Sequence, residues 1–254
     1  MLVAIPATAD AFYHEQIPSI GPSMWAFGSD GVTIYARDGT TVLKTLPAVE
    51  LGCPHQDDGG CDYYTVASDG HKYVWATAMH AFPHRADVFS LKIGVYVGGV
   101  GVCNTPLDLD YVPSREEMWV RCAEPYDDGT EDTGHMSVIP TNSLSSSTKQ
   151  VRMNGLERQY GFAVFHSSLG NYGYATANNR DVLFKVDLAQ REVVSNLTLP
   201  EGTNSTYDIT YSPVNKHIFV RGRVCCSCGS DETDAPSCGR APPFPVTVVT
   251  GPSA

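Results

Sequence analysis

Eight cysteines offer the most reactive chemistry in this chain. Cys225-x-x-Cys228, with Cys226 and Cys238 close by, presents the number of thiolates that fill a tetrahedral zinc site. Adjacent Cys225 and Cys226 crowd such a site, and no second C-x-x-C pair follows at finger spacing. Local brackets, Cys53 with Cys61 and Cys103 with Cys122, suit disulfides in an oxidising compartment, and the same reading extends to the clustered four. Two N-x-T tripeptides, at Asn196 and Asn204, are acceptors for N-linked glycan and point to the same compartment.

Other polar groups stand at suggestive spacings. His80 and His84 are four apart, but Pro83 between them removes the helix that would align them. His55, Asp57 and Asp58 share the loop "CPHQDDGGC", and "EPYDDGTEDTGH" and "GSDETDA" are acidic loops that lack the ligand spacing of a calcium cage. No nucleophile elbow, phosphate-binding loop or dinucleotide fingerprint is present. A net charge of −11 without any Lys/Arg run argues against nucleic acid or an anionic membrane as partner. No stretch approaches the roughly 20 apolar residues of a membrane-spanning helix.

The elements that must position these residues declare themselves by repetition. "DLDYVPSREEMWVRC" from Asp108 is echoed by "DITYSPVNKHIFVRG" from Asp208, and the same strand-turn-strand cadence passes through Ala67 and Phe165. The period is roughly 40 to 50 residues, that of propeller blades. "TIYARDGTTVLKTLP", "DVFSLKIGVYVGG" and "DVLFKVDLAQREVVSNLTLP" supply the second half of each unit, with alternation at Val182, Phe184, Val186 and Leu188. The expectation is an all-β, propeller-like repeat of four-stranded antiparallel blades. About five units fit into one domain over residues 1–254, with ragged ends at 1–22 and 225–254, in a small ring or an incomplete one. Trp119 and Phe219 are the expected packing residues between blades, and Asp108 and Asp208 are expected to accept loop amides at the start of inner strands.

Taken in order, "GSDGVTIYARDGTTVLKTLP", "CPHQDDGGC", "GHKYVWATA", "ADVFSLKIG", "LDLDYVPSREEMWVRC" and "DVLFKVDLAQREVV" resemble the C-terminal region of follistatin-related proteins four and five. The resemblance runs from about Trp25 to Cys225. It implies a secreted glycoprotein with a propeller-like region and a loop disulfide between Cys53 and Cys61. The Kazal-like module, the immunoglobulin-like domain and the EF-hand loop of that family are missing, so its calcium binding does not carry over; "VCCSCGSDETDAPSCGR" also departs from its pattern.

The functional expectation is therefore an extracellular interaction scaffold without a cofactor. Its partner is expected to be a protein, met through rim loops that include Tyr126, His135 and the acidic residues. Because the N-terminus lacks the basic start of a secretory leader, the chain is expected to belong to a longer one or to have its leader elsewhere. The rival is a calcium-dependent propeller hydrolase, lactonase- or esterase-like, with Asn178, Asn179, Asp181, Asp108 and Asp208 converging on a central channel.

Overall fold

Five antiparallel meanders follow one another along the chain in the computed structural model. It describes residues 20–53, 61, 63–78, 83–122, 134–144, 148–153, 159–167, 170–177, 182–199, 206–212, 217–222 and 246–250. The first sheet is β1 (Ser23–Gly28), β2 (Gly31–Ala36) and β3 (Val42–Pro47). The second is β4 (Tyr63–Ser68), β5 (Tyr73–Ala78), β6 (Arg85–Ser90) and β7 (Val95–Gly101). The third is β8 (Pro106–Val112), β9 (Glu117–Cys122), β10 (Gly134–Pro140) and β11 (Lys149–Met153). The fourth is β12 (Gln159–Ser167), β13 (Gly170–Ala177), β14 (Val182–Asp187) and β15 (Glu192–Thr198), and the fifth is β16 (Thr206–Ser212), β17 (His217–Gly222) and β18 (Val246–Thr250).

The echo in the sequence is an echo in register. Ala67, Tyr111, Phe165 and Tyr211 lie on the first strands of sheets two to five, opposite Trp75, Met118, Tyr172 and Ile218. These first strands stack on one another, β4 on β8, β8 on β12 and β12 on β16, so they form the inner edge of the array.

Repetition is a consequence of burial. A single meander has two faces and can cover neither, so each sheet must meet a sheet of its own kind on either side. Four apolar clusters do this, one between each consecutive pair of sheets. In β9 every residue is buried: Met118, Val120 and Cys122 face the second sheet, while Trp119 reaches Ala175, Phe184 and Val186 of the fourth. A strand buried on both faces has no polar side to alternate with, which is why "EMWVRC" reads as almost continuously large. The fifth sheet sends Ile218 and Val220 toward the fourth. Phe219, alternating to the opposite face, is half-buried, and no apolar cluster among the described residues joins the fifth sheet to the first. The array is an all-β propeller-like arc whose ring is not closed.

Acidic residues end several strands and fold the turns. Asp69 Oδ1 accepts the amides of His71, Lys72 and Tyr73 at 2.8–3.0 Å, which closes the β4–β5 hairpin with Gly70 at φ 74°. Asp38 and Asp187 do the same for the turns after β2 and β14, accepting from Thr40 and Thr41 and from Ala189 and Gln190. The hydroxyl and amide of Thr41, with the amide of Thr40, hold the Asp38 carboxyl down at about 2. A share of the negative charge thus satisfies backbone donors in turns.

Candidate functional site

Two of the bracketed cysteine pairs are disulfides. Cys53 and Cys61 join across a separation of 8 residues with Cα atoms 5.0 Å apart, and Cys103 and Cys122 join across 19 residues at 5.9 Å. All four cysteines are buried. Such pairs are those of an oxidising environment. Cys225, Cys226, Cys228 and Cys238 lie outside the described residues, as do Asn204, His55, Asp57, Asp58, His80, Tyr126, Asn178, Asn179 and Asp181.

The remaining expected residues are spread over the arc. Asp108 is half-buried near the start of β8, opposite Arg121, and its Oδ1 accepts the amide of Leu109 at 2.9 Å. Asp208 takes the equivalent place on β16, opposite Arg221. Trp119 is fully buried and Phe219 half-buried, as the two faces they occupy require. Asn196 is exposed on β15. His135, expected on the rim, is instead 2% exposed in β10, tucked where the third sheet meets its neighbours, and cannot meet a partner. Among the described residues no three His, Cys, Asp or Glu side chains come together as a metal site. No helix among them is long and apolar enough to cross a membrane.

Two buried polar nodes were not foreseen from sequence. In the first, Asp87 accepts from Arg85 Nε at 2.7 Å and from the hydroxyls of Tyr63 and Tyr96 at 2.9 and 3.1 Å. Arg85 also donates to the carbonyls of Leu51 and Gly52, beside the Cys53–Cys61 disulfide, and so ties the second sheet to the end of the first. Burial pushes the Asp87 carboxyl up against the opposing pull of Arg85 and the two hydroxyls; burial and the Asp87 charge push both tyrosines up. In the second node, Glu117 accepts from Arg115 Nε at 2.9 Å, Trp119 Nε1 at 3.1 Å and Arg191 of the fourth sheet at 2.7 Å. Burial pushes Glu117 up, but these donors outweigh it and its carboxyl lies below the usual range. The first node carries a signal that strand periodicity exposes: Arg85 and Asp87, charged residues at i and i+2, share one face of an apolar strand; in the second, Arg115 ends the 3-10 turn that leads into β9 at Glu117. Each carboxylate accepts from three donors, and one arginine of each node reaches across to the neighbouring unit, Arg85 to Leu51 and Gly52 and Arg191 to Glu117, so these are staples between sheets.

The open chemistry lies at the inner edge. β4 is covered by β8 on one face; Val66, 40% exposed, and Ser68 lie on the other, and a bulge between Tyr63 and Val66 interrupts the alternation at Tyr64, which is 47% exposed. Ala76, directly opposite Val66, belongs to the cluster shared with the first sheet, which fixes the side that Val66 faces. The first sheet does not cover this side. Its β1 meets β4 at one end, where the Phe27 and Tyr63 rings lie 5.3 Å apart edge to face, and Trp25 and Phe27 are drawn outward onto Phe89 of β6 at 6.1 and 5.4 Å. β1 pairs with β2 along one edge, and no described strand pairs with the other. What results is a slot with, on one side, a β1 edge that no described strand pairs and, on the other, the exposed Val66 of β4.

No family model matches this sequence, and no curated protein does. Solved structures match by shape. Hydrazine synthase from Kuenenia stuttgartiensis superposes with a TM-score of 0.65 at 13% identity, covering 92% of this chain and 61% of that one. The β-propeller domain of Cps50 (Swd1) from Myceliophteria thermophila superposes with a TM-score of 0.57 at 10% identity, covering 82% of this chain and 61% of that one. The chain thus spans less than two thirds of the length of either neighbour, and at these identities the likeness is one of fold alone: the chain has a β-propeller-like architecture.

Proposed function

We propose that the chain is an extracellular interaction scaffold that binds an extended segment of a partner protein in the slot between β1 and β4. The observation that carries this reading is the exposure of Val66 on an inner strand, beside an edge of β1 that no described strand pairs. An added strand would satisfy the backbone groups of β1 that no described strand pairs and cover Val66 with the side chains of one face, the division of labour by which strand addition combines affinity with specificity. A net charge of −11 favours basic residues flanking that segment, because opposite charge speeds encounter. The disulfides, the acceptor at Asn196 and the resemblance to secreted follistatin-related proteins support the extracellular setting.

The test is a displayed library of short peptides panned against the purified domain. Sequences with an apolar residue at every second position should be enriched, and a synthetic member should lose at least about tenfold in affinity, or ~1.4 kcal/mol, for the Tyr64→Lys, Val66→Lys double variant. Enrichment of unpatterned peptides, or equal binding to the double variant, would sink the reading.

A further inference from the structure

The outer edges of the sheets are not protected alike. An outermost strand presents unpaired backbone groups to any passing strand, and proteins blunt that hazard with Lys, Pro, Gly-rich irregularity or charge. β3 carries Lys44 and Pro47, β7 carries Gly98, Gly99 and Gly101, and β11 carries Lys149 and Arg152. β15, "EVVSNLT", has a single charge, Glu192 at its first residue, and a register shift at Val194; beyond Glu192 it carries no charge, Pro or Gly, and Val194 is 43% and Leu197 48% exposed. Such a segment has the composition from which strands associate. It also holds an acceptor tripeptide, Asn196-Leu197-Thr198, all three residues of which are exposed.

We propose that Asn196 carries an N-linked glycan and that this glycan is the edge protection of β15. Asn196 stands opposite Phe184 in register and is exposed on the outermost strand, so a glycan attached to its side-chain amide is carried in solvent at the outer edge of the sheet. A hydrated sugar chain excludes an incoming strand from the backbone groups beside it, and shields Val194 and Leu197 on either side of its attachment point. The proposal rests on the secretory setting of the preceding reading, but not on what the slot binds.

The experiment is secretion of the chain from cultured eukaryotic cells, followed by peptide mapping before and after enzymatic deglycosylation. Occupancy of Asn196 is expected. Asn196→Gln and Thr198→Ala, which remove the acceptor from opposite ends of the tripeptide, are both expected to raise the aggregated fraction after mild heating by at least about twofold. Asn196→Lys, which substitutes a charge for the sugar, is expected to return it to the glycosylated level. An unoccupied Asn196 in correctly disulfide-bonded secreted protein overturns the site. Occupancy with no rise in aggregation in either variant overturns the protective role. Slot binding by peptide, measured on the same samples, is expected to be unchanged in every case, so a loss there indicts the scaffold reading separately.

Discussion

Trp119→Ala will cost this fold ~3–5 kcal/mol, measured by chemical denaturation. The indole is fully buried between the third and fourth sheets, against Val112, Val138, Phe184 and Val186, and its Nε1 donates to Glu117 at 3.1 Å. Truncation leaves a cavity that rigid sheets on both sides cannot collapse, and removes a donor from a buried carboxylate. A domain stability of roughly 5–15 kcal/mol gives that loss the weight to uncouple the first three sheets from the last two. The repeat supplies its own control. Phe219 holds the equivalent register position, but on a face with no described sheet beyond it, and is half-buried. Phe219→Ala should therefore cost ~1 kcal/mol. Equal losses at the two positions would mean that blade stacking does not govern stability here.

Arg85→Ala is expected to cost ~3–5 kcal/mol near neutral pH, because it leaves a buried carboxylate without its cation. Asp87 is fully buried, Arg85 Nε lies 2.7 Å away, and two tyrosine hydroxyls cannot replace the lost charge. The loss should depend on pH in a defined sense. Burial already raises the Asp87 carboxyl, and removing Arg85 raises it further. A folded-state value above the unfolded one means that the folded protein takes up a proton preferentially. The variant should regain stability as pH falls toward the ordinary carboxylate range, and lose it as pH rises through the raised value. A paired change, Arg85→Met with Asp87→Leu, removes both charges at similar volume and should recover most of the loss. A penalty for Arg85→Ala that is flat with pH would contradict this account of the node.

Much of the architecture was legible because a propeller-like array writes its packing rule repeatedly. Once Tyr111 is set over Tyr211, the hairpin partners Met118 and Ile218 follow, and the structure places all four on homologous strands. The five units follow from the same spacing, and the two local disulfides from cysteines that bracket a loop and a strand turn. The site was less legible, for physical reasons. A slot is defined by a strand that does not lie beside β4, and nothing in "YYTVAS" distinguishes a covered Val66 from an open one. His135 looked like a rim residue because acidic neighbours precede it, yet its strand begins at Gly134 and buries it at once. Asp87 and Glu117 needed knowledge of which strands meet: Tyr63 reaches Asp87 within the second sheet and Arg191 reaches Glu117 across the stacked third and fourth sheets, each from a distant point in the sequence.

The most direct measurement on the central claim is thiol labelling of the native domain after Val66→Cys, with Ala76→Cys, its buried partner across the hairpin, as the reference and with the sites resolved by peptide mapping. The open slot predicts that the thiol introduced at position 66 reacts at the rate of an exposed cysteine without denaturant, while the one at position 76 stays protected until the domain unfolds. If position 66 is as protected as position 76, the inner face of β4 is covered in the native molecule, and the proposed binding slot does not exist.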